Sequence, residues 1–259
     1  MSPGGPSVPG PVPDVGPQPG GPGPVPVVVS LHLYGVEGLG VARALGRMAL
    51  DRGPVRRIPG ATFVKLLGTG SGRTFTPRDA DPGHWGVLAC WSDADGPARY
   101  EASGSHGAWS HLAHEQARIL LRPLSSRGTW AHRTPFGDPL PHRWDGRVAA
   151  ITRARIRPSR WRAFWSAVPP VSGDLHEVDG LDLALGIGEA PVGLQGTFSL
   201  WRTGSALSEF AHRRSPHQEV VRRTHEVGWY AEELFARFAV LDAQGRYDGR
   251  AVDVTTPEG

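Results

Sequence analysis

The stretch VVVSLHLYGV (Val27–Val36) is dense in β-branched and aliphatic residues and has the length of a strand. It is followed by VARALGRMALDRG (Val41–Gly53), whose apolar spacing is helical and which Gly53 is expected to close. ATFVKLLGTG (Ala61–Gly70) and HWGVLACWSD (His84–Asp93) read as two strands. A helical segment is expected around Tyr100–Gln116, and ARILLRPL (Ala117–Leu124) reads as a further strand. The order is β-α-β-β-α-β.

After a connector rich in Pro, Gly and His, that order returns. RVAAITRARIRP (Arg147–Pro158) reads as a strand, SRWRAFWSAV (Ser159–Val168) as a helix, and LDLALGIG (Leu181–Gly188) and LQGTFSLWRT (Leu194–Thr203) as strands. SALSEFAHRRSPHQEVVRRTHEVG (Ser205–Gly228) is helical with a break, and EELFARFAVL (Glu232–Leu241) closes the set. The halves share details: ACWSD in the first corresponds to SLWRT in the second, and SGSH (Ser103–His106) to RRSPH (Arg213–His217). A β-α-β-β-α-β unit is ferredoxin-like, with helices on one face of an antiparallel sheet and the other face in need of cover. Two units in one chain can cover each other. The predicted fold is therefore α+β, two ferredoxin-like halves forming a barrel of the dimeric α+β type. The expected division is a disordered tail over 1–25, a first half over 26–125, a connector over 126–146, a second half over 147–243 and a C-terminal tail over 244–259.

Composition narrows the function. The chain has 259 residues, 9 Trp and a formal charge of +3, enough length for a sizeable core. Its basic residues are dispersed and, apart from Lys65, all arginine, so no nucleic-acid stripe is indicated. Cys90 is the one cysteine, which rules out an intrachain disulfide or a CxxC motif; in WGVLACW it reads as a buried, inert thiol, and a reducing, cytoplasmic setting fits. The Pro/Gly-rich start lacks a basic region followed by an apolar core, and no later run approaches the ~20 apolar residues of a membrane span.

Two histidines invite a ligand reading. Ser215-Pro216-His217-Gln218 is a capping box with Pro at N1, and helix phase places His217, Val220, Val221 and Thr224 on one inward stripe. His225 lies roughly 12 Å further along the axis, so the pair cannot chelate one ion. His217, pointing inward alone, suits either a proximal haem ligand or a hydrogen-bonded core histidine. His106 has a similar placement without so clean a cap. In LQGTFSLW, Gln195, Thr197 and Ser199 share one strand face, and whether that face meets the helices or lines the barrel is open at this stage. Arg153 and Arg155 share a face of the preceding strand and are candidate partners for haem propionates, with surface or sheet-edge arginines as the alternative. GTGSGRTFTP (Gly68–Pro77) lacks the P-loop lysine and precedes a strand, and adjacent Glu232 and Glu233 point oppositely on a strand.

LLGTGSGRTFTPRDADP (Leu66–Pro82), LRPLSSRGTW (Leu121–Trp130), TRARIRP (Thr152–Pro158), LGIGEAPVGLQGTFSLW (Leu185–Trp201) and GWYAEELFARF (Gly228–Phe238) together resemble the spheroidene monooxygenase family of carotenoid biosynthesis. The resemblance runs over about Val28–Leu241, leaving out the N-terminal tail and the connector around Arg133–Asp145. It implies an α+β barrel, haem b, and oxygen-dependent introduction of a keto group on an acyclic carotenoid. It also implies a retained histidine at His217 as the iron ligand and a matching glutamine at Gln195. On this reading Gln195, Thr197 and Ser199 border the oxygen side, and two electrons come from an external donor, since no flavin or nicotinamide motif is visible. The substrate is a small apolar organic molecule; being membrane-dissolved, it implies transient contact with the bilayer, for which the sequence shows no dedicated anchor. Self-association is left open. Two rival readings stand beside it: a haem-dependent lyase, dehydratase or N–O-chemistry enzyme of the aldoxime dehydratase kind, and a haem-binding module without turnover.

Overall fold

The structure is a computed structural model and describes residues 24–70, 79–140, 142–156, 178–189, 196–213 and 230–253. The first half comprises β1 (Val28–Gly35), α1 (Gly40–Leu50), α2 (Arg52–Arg56), β2 (Ala61–Gly70), β3 (Ala80–Trp91), α3 (Gly96–Glu101), α4 (Gly104–Leu112) and β4 (Glu115–Gly128). The second comprises β5 (Val148–Ile156), β6 (Leu181–Gly188), β7 (Gly196–Trp201), α5 (Gly204–Arg213) and β8 (Tyr230–Tyr247), with a short β9 (Arg250–Ala251). The helix expected over Ser159–Val168 lies outside the described residues.

The strand order is β4-β1-β3-β2-β6-β7-β5-β8, and β4 pairs back onto β8, so the sheet closes into an eight-stranded barrel. Each half contributes its strands in the ferredoxin-like order, fourth-first-third-second, and the seams join second strand to second and fourth to fourth. The predicted architecture is the observed one. The seams are unequal: β2 meets β6 over Gly68–Gly70, whereas β4 and β8 pair from Ala117–Gly245 through Gly128–Leu234. Close approach along that long seam needs glycine at both ends. A Cβ on Gly128 (φ 92°) would sit 2.2 Å from the Glu233 carbonyl, and one on Gly245 (φ 99°) 2.1 Å from that of Gln116.

Period-two alternation sorts the side chains into layers. Leu31, Leu33, Leu88, Ile119, Ile151, Phe198, Leu234 and Phe238 point inward and fill the barrel. In the first half Tyr34, Trp85, Trp91, Tyr100 and Trp109 pack outside it, beneath the helices. Because both faces are covered, β1 is buried along its whole length.

Several boundaries differ from expectation. Gly53 lies within α2 rather than closing α1, which ends at Leu50. The segment around Tyr100–Gln116 is two short helices, and β4 begins at Glu115. The connector is not merely a surface link, since Trp130 and Phe136 are 1% and 0% exposed within the barrel cluster. The expected C-terminal tail begins as strand: β8 continues to Tyr247, and Tyr247 and Val252 join the same cluster.

Candidate active site

The register of β5, β6 and β7 decides which way the candidate residues point. Val148 is opposite Trp201, Thr152 opposite Thr197 and Ala150 opposite Ser199, while Ala184 and Gly186 of β6 flank Ser199 and Thr197 from the other side. Phe198 and Leu200 belong to the barrel interior. Thr197 and Ser199 therefore lie on the outer face, the side on which α5 packs through Leu207 against Val148 and Trp201. The face left open by the sequence is the helix-facing one. Trp201 Nε1–H donates to Ser199 Oγ (2.9 Å), which fixes that hydroxyl and leaves its own proton for another acceptor.

The two halves can be compared position by position, since Val28 faces Trp91 as Val148 faces Trp201. On the outer face Ser30, His32 and Tyr34 of β1 correspond to Ala150, Thr152 and Ala154 of β5. Val64 and Leu66 of β2 correspond to Ala184 and Gly186 of β6, and Val87 of β3 to Thr197 of β7. Half one fills this layer. Tyr34 hydrogen-bonds Tyr100 (2.9 Å) and His106 Nδ1 (2.9 Å) and stacks on Trp109 at 5.4 Å. Half two sets only alanine, glycine, serine and threonine there, and Ala150, Thr152, Ala154, Ala184 and Thr197 remain half-buried. That is a flat floor with hydroxyls. At its Val148 end a groove of about 630 Å³ opens, bounded by Trp144, Leu207, Ser205 and Arg237.

Arg153 is not on this face. It is 4% exposed inside the barrel, where it pairs with Glu232 (2.9 Å) and Glu189 (3.2 Å) and lies over Trp130 at 5.2 Å. Glu189 also takes Lys65 (2.5 Å) and the Trp130 indole N–H (2.5 Å). Glu232 accepts from Thr129 Oγ1 (3.1 Å) and the His132 N–H (2.7 Å), at a turn where Ala131 and His132 both have positive φ (54° and 58°). Burial alone would raise the Glu232 carboxyl, but the backbone N–H groups and Arg153 outweigh it and hold the group down at about 2. Arg153 is thus committed to carboxylates on the opposite side of the sheet from Thr197 and Ser199. Arg155 shares its parity and is exposed at the barrel rim. Arg153 therefore points away from the outer face that carries Thr197 and Ser199. Arg237 does project from the outer face, opposite Ala150, and donates to Ser208 Oγ (2.9 Å).

His106 caps differently from expectation, since Ser103 Oγ accepts its N–H (3.2 Å), and its ring nitrogens meet Tyr34 and Ser110. It is a hydrogen-bonded, half-buried histidine, with burial lowering its pKa. Cys90 is fully buried, and burial pushes its thiol pKa far up, the inert state expected. Gln195, His217 and His225 lie outside the described residues. Among the described residues no group of three His, Cys, Asp or Glu is arranged to hold a metal ion, and no helix is long and apolar enough to cross a membrane.

No protein-family model matches the chain. Three curated relatives do, all spheroidene monooxygenases. The spheroidene monooxygenase of Rhodobacter capsulatus is 36% identical over 232 residues, covering 86% of this chain and 94% of that protein. The chain belongs to the spheroidene monooxygenase family. The Cereibacter sphaeroides spheroidene monooxygenase is 33% identical over 80% of this chain and 64% of its own length. The names of these relatives make the chain an oxidoreductase of the monooxygenase class. Among solved structures, an aldoxime dehydratase in complex with butyraldoxime aligns with a TM-score of 0.50 at 11% identity, over 82% of this chain and 79% of that one; this likeness concerns the fold. For a spheroidene monooxygenase family member, the sequence signal missed was the paired smallness of Ala150, Ala154, Ala184 and Gly186, visible only once the halves are aligned by ladder register.

Proposed function

We propose that the chain is a haem-dependent monooxygenase that acts on a long apolar, carotenoid-like substrate, with the haem seated on the outer face of half two. The supporting observation is the small-residue floor. A planar macrocycle needs a flat layer between sheet and helix, and half two is built of Ala150, Thr152, Ala154, Gly186 and Thr197 where half one carries Ser30, His32, Tyr34, Leu66 and Val87. Tyrosine or leucine at Ala154 or Gly186 would occupy that layer, so the residues present fit the group.

The internal repeat argues for the iron ligand. In half one the His106 ring lies against His32 at 5.8 Å and Tyr34 at 6.0 Å. His217 is its counterpart in the repeated motif, and Thr152 and Ala154 are the counterparts of His32 and Tyr34. When bound, the haem supplies oxygen activation and draws two electrons from a separate donor. The chain supplies the rest. The Thr152, Thr197 and Ser199 hydroxyls donate protons into hydrogen bonds at the floor, and the Trp201 indole holds Ser199 in the donating orientation. Gln195, next to β7 in sequence, would add an amide donor to the same side. The groove at the Val148 end of the floor offers Trp144 and Leu207 to part of an extended apolar substrate.

The test is spectroscopic. Expressed with haem precursor, the wild type is expected to show a Soret band with one haem per chain, and His217→Ala to lose or shift it. A colourless wild type, or an unchanged band in the variant, contradicts the reading.

A further inference from the structure

We propose that α1 is a docking face for an anionic lipid bilayer. Its inner side is ordinary: Ala44 and Met48 are buried among the aromatic residues of half one, with Val41 beside them. Its outer side is not. Leu39, Ala42, Leu45, Gly46, Ala49 and Leu50 recur at helical spacing along the solvent side, with Leu39 82%, Leu45 47% and Leu50 67% exposed. The strip is about 16 Å long. Leucines on the solvent side of a short amphipathic helix gain nothing from water, and such contiguous apolar surface marks an interaction site.

Charge selects the partner. Arg43 borders the strip, Arg47 lies beside it and pairs with Asp51 (3.2 Å), and exposed Arg52 and Arg56 follow in α2. Asp51, the one acid in the sequence spanning α1 and α2, is 2% exposed and turned inward toward Ser105 Oγ. Apolar side chains flanked by arginines are what an interfacial helix offers to acyl chains and anionic headgroups. A second copy fits less well. A two-fold contact would bring arginine toward arginine, and a convex strip one helix wide falls short of the roughly 800 Å² per partner of a stable protein interface. The face belongs to half one and the proposed haem seat to the opposite wall of the barrel, so docking does not depend on haem.

Flotation of the full chain with mixed phosphatidylglycerol–phosphatidylcholine vesicles, and with phosphatidylcholine alone, tests this. The wild type is expected to float with the anionic vesicles at low salt and to be released as salt rises. Leu39→Gln/Leu45→Gln/Leu50→Gln should bind at least about ten-fold more weakly, and Arg43→Gln/Arg56→Gln several-fold more weakly on the anionic vesicles. Both variants should keep wild-type ellipticity and haem content, which separates a failure here from a failure of the haem reading. Wild type that stays with neither vesicle, or a leucine variant that floats undiminished, overturns the proposal. So does sedimentation showing a wild-type dimer that the leucine variant abolishes, which would assign the strip to a second copy.

Discussion

Glu232 and Arg153 show how a barrel tolerates charge in its interior. Arg153 is 4% and Glu232 6% exposed, yet each is met by several partners: Arg153 by two carboxylates, Glu232 by Arg153, Thr129 and backbone N–H groups. Such a pair adds little over an apolar one, but removing one member strands the other. Glu232→Gln is therefore expected to cost about 3 kcal/mol in urea unfolding, with Glu189 still paired to Arg153. The pH dependence follows from the depressed pKa. The group titrates near 4.5 unfolded and about 2 folded, so its contribution is present above 4.5 and lost as pH falls from there toward 2. Unfolding curves across that window should show a steep acid limb in the wild type and a flatter one in Glu232→Gln. Alternation in the sequence placed Arg153 and Arg155 on one strand face and Glu232 and Glu233 on opposite faces, both correctly. Which face becomes interior depends on closure of the barrel, a long-range event with no local signal.

At the scale of elements, the long β4–β8 seam holds the halves together, and its two glycines are related by the repeat. Gly128 stands in the seventh position after Leu121, which pairs with Val29; Gly245 stands in the seventh after Phe238, which pairs with Ala149, the repeat mate of Val29. Both have positive φ and a carbonyl of the facing strand where a Cβ would go. Gly128→Ala and Gly245→Ala are each expected to destabilise by about 2–4 kcal/mol, lowering the melting temperature by roughly 5–15 °C. Calorimetry on the two variants checks this, and an unperturbed melting curve would show that the seam can relax. Regular elements were legible where hydrophobic pattern and turn residues agreed: β6 runs over Leu181–Gly188 as read. They were misread where glycine had a second use, as at Gly53 inside α2. The exposed leucines of α1 were also illegible, since a helix with apolar residues on both faces leaves its buried side undetermined until packing selects Ala44 and Met48.

The described residues form a duplicated architecture, with large side chains on the outer face of one half and small ones at the matching positions of the other. The barrel itself could be read from the repeated β-α-β-β-α-β order, because two half-covered sheets in one chain have few ways to cover each other. The asymmetry could not, because it is a relation between residues about 120 positions apart that only the ladder registers align. Tyr34, Leu66 and Trp109 make the outer layer of half one a closed core, whereas Ala154, Gly186 and Thr197 leave a floor in half two. On the proposed function, this small-residue wall seats the haem. Its most direct test returns half one's side chains to half two: Ala154→Tyr/Gly186→Leu, assayed by haem titration alongside thermal unfolding. The expected result is a folded, cooperative protein whose haem affinity falls by at least about ten-fold, a loss of roughly 1.4 kcal/mol or more in binding. A refilled variant that binds haem as tightly as the wild type, with the same Soret band, would contradict it.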